Sequence, residues 1–256
     1  MQIKIRHFGP IKEFNFDLKK DLVVIFGQNN LGKSYAIYIV YLLIKTGLNL
    51  SQRGATEPEF LAEFQAAFLG TFDQVENIKS RFSRQPMRLT WCNETSELVI
   101  EVKDQKLTLS NVTLLKYLQN SLDLDGVKQV YYLPAARFSI YQALSAFSAV
   151  FAELSKCRNV LRQKVEIPTL SVPVSDYFLG LSEIKKNSFI LGNQEILGIV
   201  DEIERKILKG EVIFNTELRK FFYQPYHQEL CLDFSLTSSM VSELFPLVAY
   251  LKYIVA

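Results

Sequence analysis

An octapeptide near the N-terminus has the residue types of a phosphate-binding loop. Gly27-Gln28-Asn29-Asn30-Leu31-Gly32-Lys33-Ser34 fits the pattern Gly-x4-Gly-Lys-[Ser/Thr] at every position. The two glycines allow the backbone to curl around a phosphate, and successive N–H groups then point into one concavity that binds anionic oxygens. Lys33 would supply an ammonium group for the β- and γ-phosphates, and the Ser34 hydroxyl an oxygen for Mg²⁺. The motif therefore predicts binding of a nucleoside triphosphate with magnesium.

The segments on both sides of this loop favour the same chemistry. Leu22-Val23-Val24-Ile25-Phe26 is a continuous apolar run, typical of a strand covered on both faces. The residues after Ser34 predict an apolar helix through about Lys45, whose positive dipole end would meet the phosphate. A strand, a loop and a helix in this order are the arrangement that the motif requires. We therefore predict a nucleotide-binding set that runs from Gly27 to Tyr35, with Lys33 as its catalytic residue and Ser34 as its metal ligand.

Composition excludes several other classes of protein. The 256 residues carry 29 Lys plus Arg against 27 Asp plus Glu, a net charge of +2, and 48% of them are hydrophobic. This hydrophobic content excludes a disordered chain, and the small charge excludes a strongly basic protein held on nucleic acid by bulk electrostatics. Cys92, Cys157 and Cys231 are far apart, so no disulfide framework or zinc site is indicated, and a reducing, cytoplasmic location is expected. The longest apolar stretch, residues 35–44, is about half of the ~20 residues that a membrane span needs, so no membrane partner is predicted.

Hydrophobic periodicity and turn residues predict the remaining elements. Strands are expected in a hairpin over 3–18, in a meander over 87–92, 98–102 and 106–109, in a buried strand over 127–133, and near 211–214 and 229–234. Helices are expected over 58–82, 111–122, 139–156, 175–186, 194–208 and from 239 to the end.

Three segments together resemble ABC-type ATPase heads of the SMC, RecF and OLD kind, the soluble branch that acts in DNA repair and phage defence. Ile3-x-Ile5-x-x-Phe8-Gly9-Pro10-Ile11 followed by the phosphate loop resembles their N-terminal lobe. Val130 to Arg137 resembles their strand with Pro-Ala-x-Arg, and Leu236 to Leu244 resembles their degenerate signature, Ser-Ser-x-x-x-Glu-Leu. The resemblance implies an α/β P-loop NTPase fold with a mixed β-sheet and an inserted helical subdomain, and ATP and Mg²⁺ as ligands.

The signature segment has two interpretations. In ABC-type ATPases the corresponding helix start faces the γ-phosphate held by a second subunit, so the resemblance implies that Ser238 and Ser239 contact nucleotide and that ATP joins two heads. The alternative is an ordinary serine-capped helix that packs Val241 and Leu244 into the core. The resemblance also implies a homo-oligomer, a possible partner nuclease or other effector, and possible contact with nucleic acid.

Other charged and aromatic residues remain open at this stage. Arg137 could contact phosphate or could be a surface arginine at a helix start, and His7 and Phe8 could touch the base or could be a solvated and a core residue. Two basic clusters could meet a phosphate backbone, although solvated helix faces are favoured for both. The clusters consist of Lys79, Arg81, Arg84 and Arg88, and of Lys156, Arg158, Arg162 and Lys164.

The sequence departs from the family pattern at the Walker B motif, an apolar strand that ends in Asp-Glu. Asp201-Glu202 precedes the signature segment and continues a helical pattern, so it is predicted to be a solvated helix face. An absent Walker B strand would leave a gap in the sheet and an exposed apolar surface. We therefore expect a fragment of a longer ATPase, a truncated product or one part of a split enzyme.

These observations predict a three-part organisation and a ranked set of functions. An N-terminal ATPase lobe is expected over 1–138, a helical lid over 139–210, and the start of a C-terminal lobe over 211–256. The first function is an ATP-binding head that hydrolyses ATP only with a supplied Walker B. The alternative is a nucleotide-gated interaction module without turnover, and a P-loop kinase or GTPase ranks last because the sequence has no Asn-Lys-x-Asp.

Overall fold

The chain folds into helices and two antiparallel sheets, in a computed structural model. The structure describes residues 1–54, 56–74, 78, 80, 83–103, 106–120, 129–143, 170–182, 184, 193–218 and 220–255. The chain divides into two compact units. Unit 1 comprises Met1–Tyr132 with Pro168–Pro173, and unit 2 comprises Leu133–Ile167 with Val174–Ala256. The mixed α/β class is confirmed, and the three-part division of the chain stays a prediction.

Unit 1 contains a five-stranded antiparallel sheet in the order β2-β1-β3-β4-β5. Its strands are β1 Gln2–Phe8, β2 Ile11–Asp17, β3 Arg88–Cys92, β4 Glu97–Lys103 and β5 Lys106–Val112. The predicted hairpin and meander are confirmed. In β1, buried Ile3 and Ile5 alternate with residues that face outward. The alternation breaks at His7, whose φ of 55° is left-handed, and the next residue, Phe8, is buried.

Three helices, α1 Lys33–Arg53, α2 Glu57–Phe72 and α3 Thr113–Asn120, belong to the same unit. α1 is longer than predicted because Gly47 does not interrupt it. A Cβ at Gly47 would lie 2.6 Å from the Trp91 ring, so the ring occupies the space that a side chain would need. The helix ends only at Gly54, whose φ of 65° is left-handed. No helix among the described residues is long and apolar enough to cross a membrane.

α2 carries a row of four buried aromatic rings. Thr56 and Glu59 form a capping box at its start, and Phe60, Phe64, Phe68 and Phe72 follow at intervals of four residues. This spacing places them on one face of the helix, where neighbouring ring centroids are 5.0–6.2 Å apart. Full burial of each such side chain is worth about 1.5–3 kcal/mol, so the row is a large part of the unit 1 core.

Unit 2 combines a three-stranded antiparallel sheet with helices. A helix α4 begins at residue 137 and is described to residue 143, and its continuation lies outside the described residues. The other elements are α5 Val172–Ser182, whose first two residues belong to unit 1, α6 Gln194–Glu202 with a π-helical turn Ile203–Leu208, β6 Gly210–Asn215, β7 Lys220–Pro225, β8 Leu232–Asp233, and α7 Ser239–Tyr250 with a π-helical turn Leu251–Val255. The helices predicted near 175–186, over 194–208 and after 239 are confirmed. β7 was not predicted.

A buried ion pair joins the two π-helical turns to β6. Glu204 is 5% exposed, and its Oε1 accepts hydrogen bonds from the Val212 N–H at 2.8 Å and from Lys252 Nζ at 3.1 Å. Lys252 also pairs with Glu211 at 2.9 Å. Burial raises the pKa of Glu204, while the Val212 N–H and the Lys252 ammonium act against that rise. The arrangement satisfies a buried carboxylate within unit 2.

The prediction of a strand directly before the phosphate loop is wrong. Leu22–Phe26 has no strand structure, and Leu22, Val24 and Phe26 are exposed. Residues 129–133, the described part of the strand predicted over 127–133, likewise pair with no described strand. A strand needs a hydrogen-bonded neighbour, and all described strand pairs are antiparallel pairs of other segments. The described residues therefore contain no mixed sheet leading into the loop, and the apolar surface expected from a missing Walker B strand stays a prediction.

Candidate phosphate-binding site

The octapeptide Gly27–Ser34 forms a tight loop between an extended segment and α1. Three of its residues have left-handed backbone: φ is 154° at Gly27, 65° at Asn30 and 86° at Gly32. Left-handed residues within a short loop are typical of the backbone concavities that bind anions. The loop thus has the backbone character of an anion cradle.

Gly32 is held by the β1–β2 turn. A Cβ at this position would lie 2.7 Å from Ile11 Cγ1 and 2.9 Å from Pro10 Cγ. Both its φ and its surroundings therefore require glycine. The predicted hairpin over 3–18 does not reveal this contact with the loop, because turn residues do not show which segment the turn packs against.

The Lys33 side chain folds back over the loop that precedes it. Its Nζ donates hydrogen bonds to the carbonyl oxygens of Gly27 and Gln28, both at 2.6 Å. The ammonium group is thereby fixed at the start of the loop, in the region where the curled backbone would receive an anion. Exchange of the two carbonyls for phosphate oxygens would replace neutral acceptors with charged ones, which form stronger hydrogen bonds.

The N-terminus of α1 is open to an anion. No side chain caps it, no acidic residue lies in its first turn, and its first backbone hydrogen bond runs from Ala36 N to Gly32 O at 2.9 Å. The N–H groups of Lys33, Ser34 and Tyr35 make no hydrogen bond among the described residues. Unsatisfied N–H groups and the helix dipole together favour an anionic ligand at this point.

The side chains around the helix start have distinct surroundings. Ser34 is exposed, and its hydroxyl makes no hydrogen bond among the described residues, so its oxygen is available to a metal ion. The Tyr35 ring packs on Phe8 and Phe72, with ring centroids at 6.0 and 5.3 Å, and holds the helix start against the hairpin. In a phosphate site, Tyr35 would therefore contribute its backbone N–H and not its side chain. Gln28, Asn29, Asn30 and Leu31 are exposed.

His7 and Phe8 differ in burial. Phe8 is fully buried among aromatic rings, as expected of a core residue, and it does not face solvent where a base would bind. His7 is half-buried with a left-handed φ of 55°, and its buried Nδ1 finds no hydrogen-bond partner in the described part of the chain. Of the two, only His7 has an unused polar atom to offer a ligand.

Arg137 belongs to unit 2, where it is the first residue of α4. It is half-buried, its Nη1 donates to Pro134 O at 3.4 Å, and its buried Nε has no hydrogen-bond partner among the residues that the structure describes. The hydroxyl of Tyr177 is also buried without a partner. Burial raises the pKa of Tyr177, and the positive charge of Arg137 acts in the opposite direction. Arg137 is thus packed inside unit 2 rather than freely exposed, and both interpretations of its role stay predictions.

Ser238 and Ser239 stand at the start of α7, as the signature segment predicted. Ser238 is the N-cap, and its Oγ accepts a hydrogen bond from Val241 N at 3.4 Å. Both serines are exposed, while Val241 and Phe245 are buried beneath the helix. The serine-capped, core-packing helix is therefore observed, and contact of these serines with nucleotide stays a prediction.

The acidic pair Asp201-Glu202 is a solvated helix face, as predicted. Both side chains are exposed, and they form i,i+4 ion pairs with Arg205 and Lys206, each at 2.7 Å. Of the two basic clusters, Arg84 and Arg88 lie in described parts of the chain, and Arg88 pairs with Glu101 at 3.6 Å. Lys79, Arg81, Lys156, Arg158, Arg162 and Lys164 lie outside the described residues.

No protein-family model matches this chain, and no curated protein matches it.

Proposed function

We propose that this chain binds Mg·ATP through Gly27–Tyr35, as a head of the P-loop ATPase class with ABC-like features. The observation that carries the proposal is the loop itself: left-handed residues, an uncapped helix N-terminus and the Lys33 ammonium lie within nine consecutive residues. In this proposal the backbone N–H groups bind the phosphate oxygens, Lys33 neutralises the β- and γ-phosphates, and Ser34 binds Mg²⁺.

Binding of a fluorescent ATP analogue by the full chain tests this proposal. Lys33→Ala removes the ammonium group and its charge-assisted hydrogen bonds, worth about 1.5–3 kcal/mol each, so we expect the affinity to fall about 100-fold. Lys20→Ala is the matched control, because it removes the same charge from an exposed lysine outside the loop. Unchanged affinity in Lys33→Ala, with retained circular dichroism, would refute the assignment.

Binding of Mg²⁺ and preference for the nucleotide base are tested in separate measurements. Ser34→Ala should keep the affinity measured in EDTA and lose the gain that Mg²⁺ gives, since only the metal ligand is removed. A competition series with ATP and GTP then measures the preference for the base. A clear preference for GTP would favour the GTPase class, which the sequence ranks last.

A nucleotide-gated interaction module without turnover is the second candidate, and one observation favours it. Among the described residues no carboxylate forms a hydrogen bond or ion pair with Gly27–Tyr35, and Asp201-Glu202 is engaged in surface ion pairs. A steady-state phosphate-release assay separates the two candidates: turnover by this chain supports the ATPase, and binding without turnover supports the module. ATP-dependent association of two heads through Ser238 and Ser239 belongs to both proposals.

A further inference from the structure

The turn between β1 and β2 contacts the start of α1 at two points. Ile11 and Pro10 pack against Gly32, where a Cβ would lie 2.7 Å from Ile11 Cγ1 and 2.9 Å from Pro10 Cγ. Gly9 lies beside the Tyr35 ring, since a Cβ there would lie 3.6 Å from Tyr35 Cδ2. The first N–H groups of a helix have no partner within that helix. The turn therefore supports, from both ends, the N–H groups that would bind phosphate.

This turn is itself fixed in the core of unit 1. The Gly9 N–H donates a hydrogen bond to the Ile78 carbonyl oxygen at 2.7 Å, and Phe8 pairs with Ile11 across the hairpin. Ile11 is buried, and the buried Phe8 ring packs on Phe72 of α2 with ring centroids 5.1 Å apart. Close-packed interiors transmit displacements instead of absorbing them, so the turn is a firm support for the segment that it contacts.

Gly32 needs such a support because glycine has no preference of its own for its φ of 86°. A glycine populates positive and negative φ about equally, so an unsupported Gly32 would not fix the direction of the N–H groups that follow it. The loop would then become ordered only when a ligand binds, and this ordering would weaken the affinity. Contact with Ile11 and with the ring of Pro10 orders the backbone before the ligand arrives.

We propose that Pro10 and Ile11 are positioning residues of the phosphate site, an inference that rests on the proposed function. They hold Gly32 in its left-handed conformation and thereby direct the N–H groups at the start of α1 toward the ligand. This support acts on the phosphate groups alone. It should therefore affect ATP and inorganic tripolyphosphate equally, because tripolyphosphate has a chain of three phosphates and no base. A contact with the base would instead affect ATP only.

Displacement of the fluorescent ATP analogue from the full chain, by ATP and by tripolyphosphate, tests the proposal. Pro10→Ala removes the Cγ atom beside Gly32 at a half-buried position, and Ile11→Ala removes Cγ1. Renewed freedom of about one backbone unit corresponds to about tenfold in a binding constant, so each variant should bind both ligands about tenfold more weakly. Ile11→Val keeps a methyl group at the Cγ1 position and should retain the affinity of the unsubstituted chain.

Ile5→Ala is the matched control for a loss of stability. Ile5 is fully buried in the same hairpin, and none of the atoms nearest to Gly32 belongs to it. Ile5→Ala should lower the urea midpoint at least as much as Ile11→Ala and leave both affinities unchanged. An equal fall in affinity in Ile5→Ala and Ile11→Ala would overturn the proposal, because the effect would then follow stability and not contact with Gly32. A loss confined to ATP would also overturn it.

Hydrogen exchange in the nucleotide-free chain, followed by NMR, measures the support without any ligand. The Ala36 N–H donates to Gly32 O at 2.9 Å, so its exchange should be faster in Pro10→Ala and Ile11→Ala. The Gly54 N–H, which donates to Leu50 O at the other end of α1, should exchange at an unchanged rate. Unchanged exchange at Ala36, with unchanged affinity in both variants, would overturn this proposal alone. If the unsubstituted chain binds neither ATP nor tripolyphosphate, the proposed function is overturned, and the phosphate role of the turn with it.

Discussion

Replacement of Gly32 by alanine should destabilise unit 1 through two separable effects. An L-residue at φ 86° has a left-handed conformation, which costs about 1–2 kcal/mol. The new Cβ would also lie 2.7 Å from Ile11 Cγ1 and 2.9 Å from Pro10 Cγ, and overpacking of this kind costs about 1–3 kcal/mol. The sum predicts a loss of about 2–5 kcal/mol in the free energy of unfolding.

Gly54→Ala is the matched control for the conformational part. Gly54 is also left-handed, with φ at 65°, but a Cβ there would have nothing within 4 Å. It should therefore cost only about 1–2 kcal/mol. The difference between the two variants isolates the crowding against Pro10 and Ile11.

Urea unfolding followed by tryptophan fluorescence measures both variants. Trp91 is the single tryptophan of the chain and is buried in unit 1, so its emission reports on the unit that contains both glycines. Ile11→Ala in the Gly32→Ala background should recover part of the crowding energy, so the two substitutions should be less than additive. Equal losses in Gly32→Ala and Gly54→Ala, or additive losses in the double variant, would refute the contact between the β1–β2 turn and the loop.

Three further predictions concern ionisable groups. Glu204→Ala leaves the Lys252 ammonium without its most buried partner and should destabilise unit 2 by about 3–5 kcal/mol, measured by urea unfolding in circular dichroism; a loss below about 1 kcal/mol would contradict the buried pair. The Thr56 N–H and hydroxyl lower the pKa of Glu59 below its ordinary 4.5, so this stabilisation is present above that pH and is lost as the pH falls through the lower value in the folded state. Glu59→Gln should therefore weaken the fall in unfolding free energy as the pH is lowered, whereas the control Glu57→Gln should leave it unchanged. An unchanged pH dependence in Glu59→Gln would argue against the capping box. Asp201→Asn and Glu202→Gln each remove one exposed, solvent-screened ion pair and should leave the urea unfolding midpoint nearly unchanged, with ATP affinity unchanged in the fluorescent-analogue titration; loss of Mg²⁺-dependent binding would contradict their assignment to a solvated face.

Elements that depend on local signals were predicted well from the sequence. The β1–β2 hairpin and the β3–β5 meander follow from alternation and turn residues, and α6 with its π-helical turn follows from helical periodicity. The serine cap of α7, one of two interpretations of Ser238 and Ser239, was accessible from the sequence because the residue types at a helix start report on that helix alone. In the candidate site, the motif predicted a loop that leads into a helix, and α1 begins at Lys33; binding by Gly27, Gly32, Lys33 and Ser34 stays a prediction.

Features that depend on distant neighbours were not predictable in this way. Leu22–Phe26 has the composition of a buried strand, but strand structure requires a partner, and none of the described segments supplies one. α1 continues past Gly47 because the ring of Trp91, over forty residues later in the chain, fills the empty side-chain position. The contact of Ile11 with Gly32 and the fold-back of Lys33 onto Gly27 likewise appear only in three dimensions.

The aromatic row of α2 has an optical consequence for the loop. Its last ring, Phe72, contacts Tyr35, which directly follows Ser34. A ligand that shifts the start of α1 must therefore turn the tyrosine ring against a tightly packed stack of phenylalanines. If the loop binds nucleotide as proposed, near-ultraviolet circular dichroism of these packed rings would report that binding without a label.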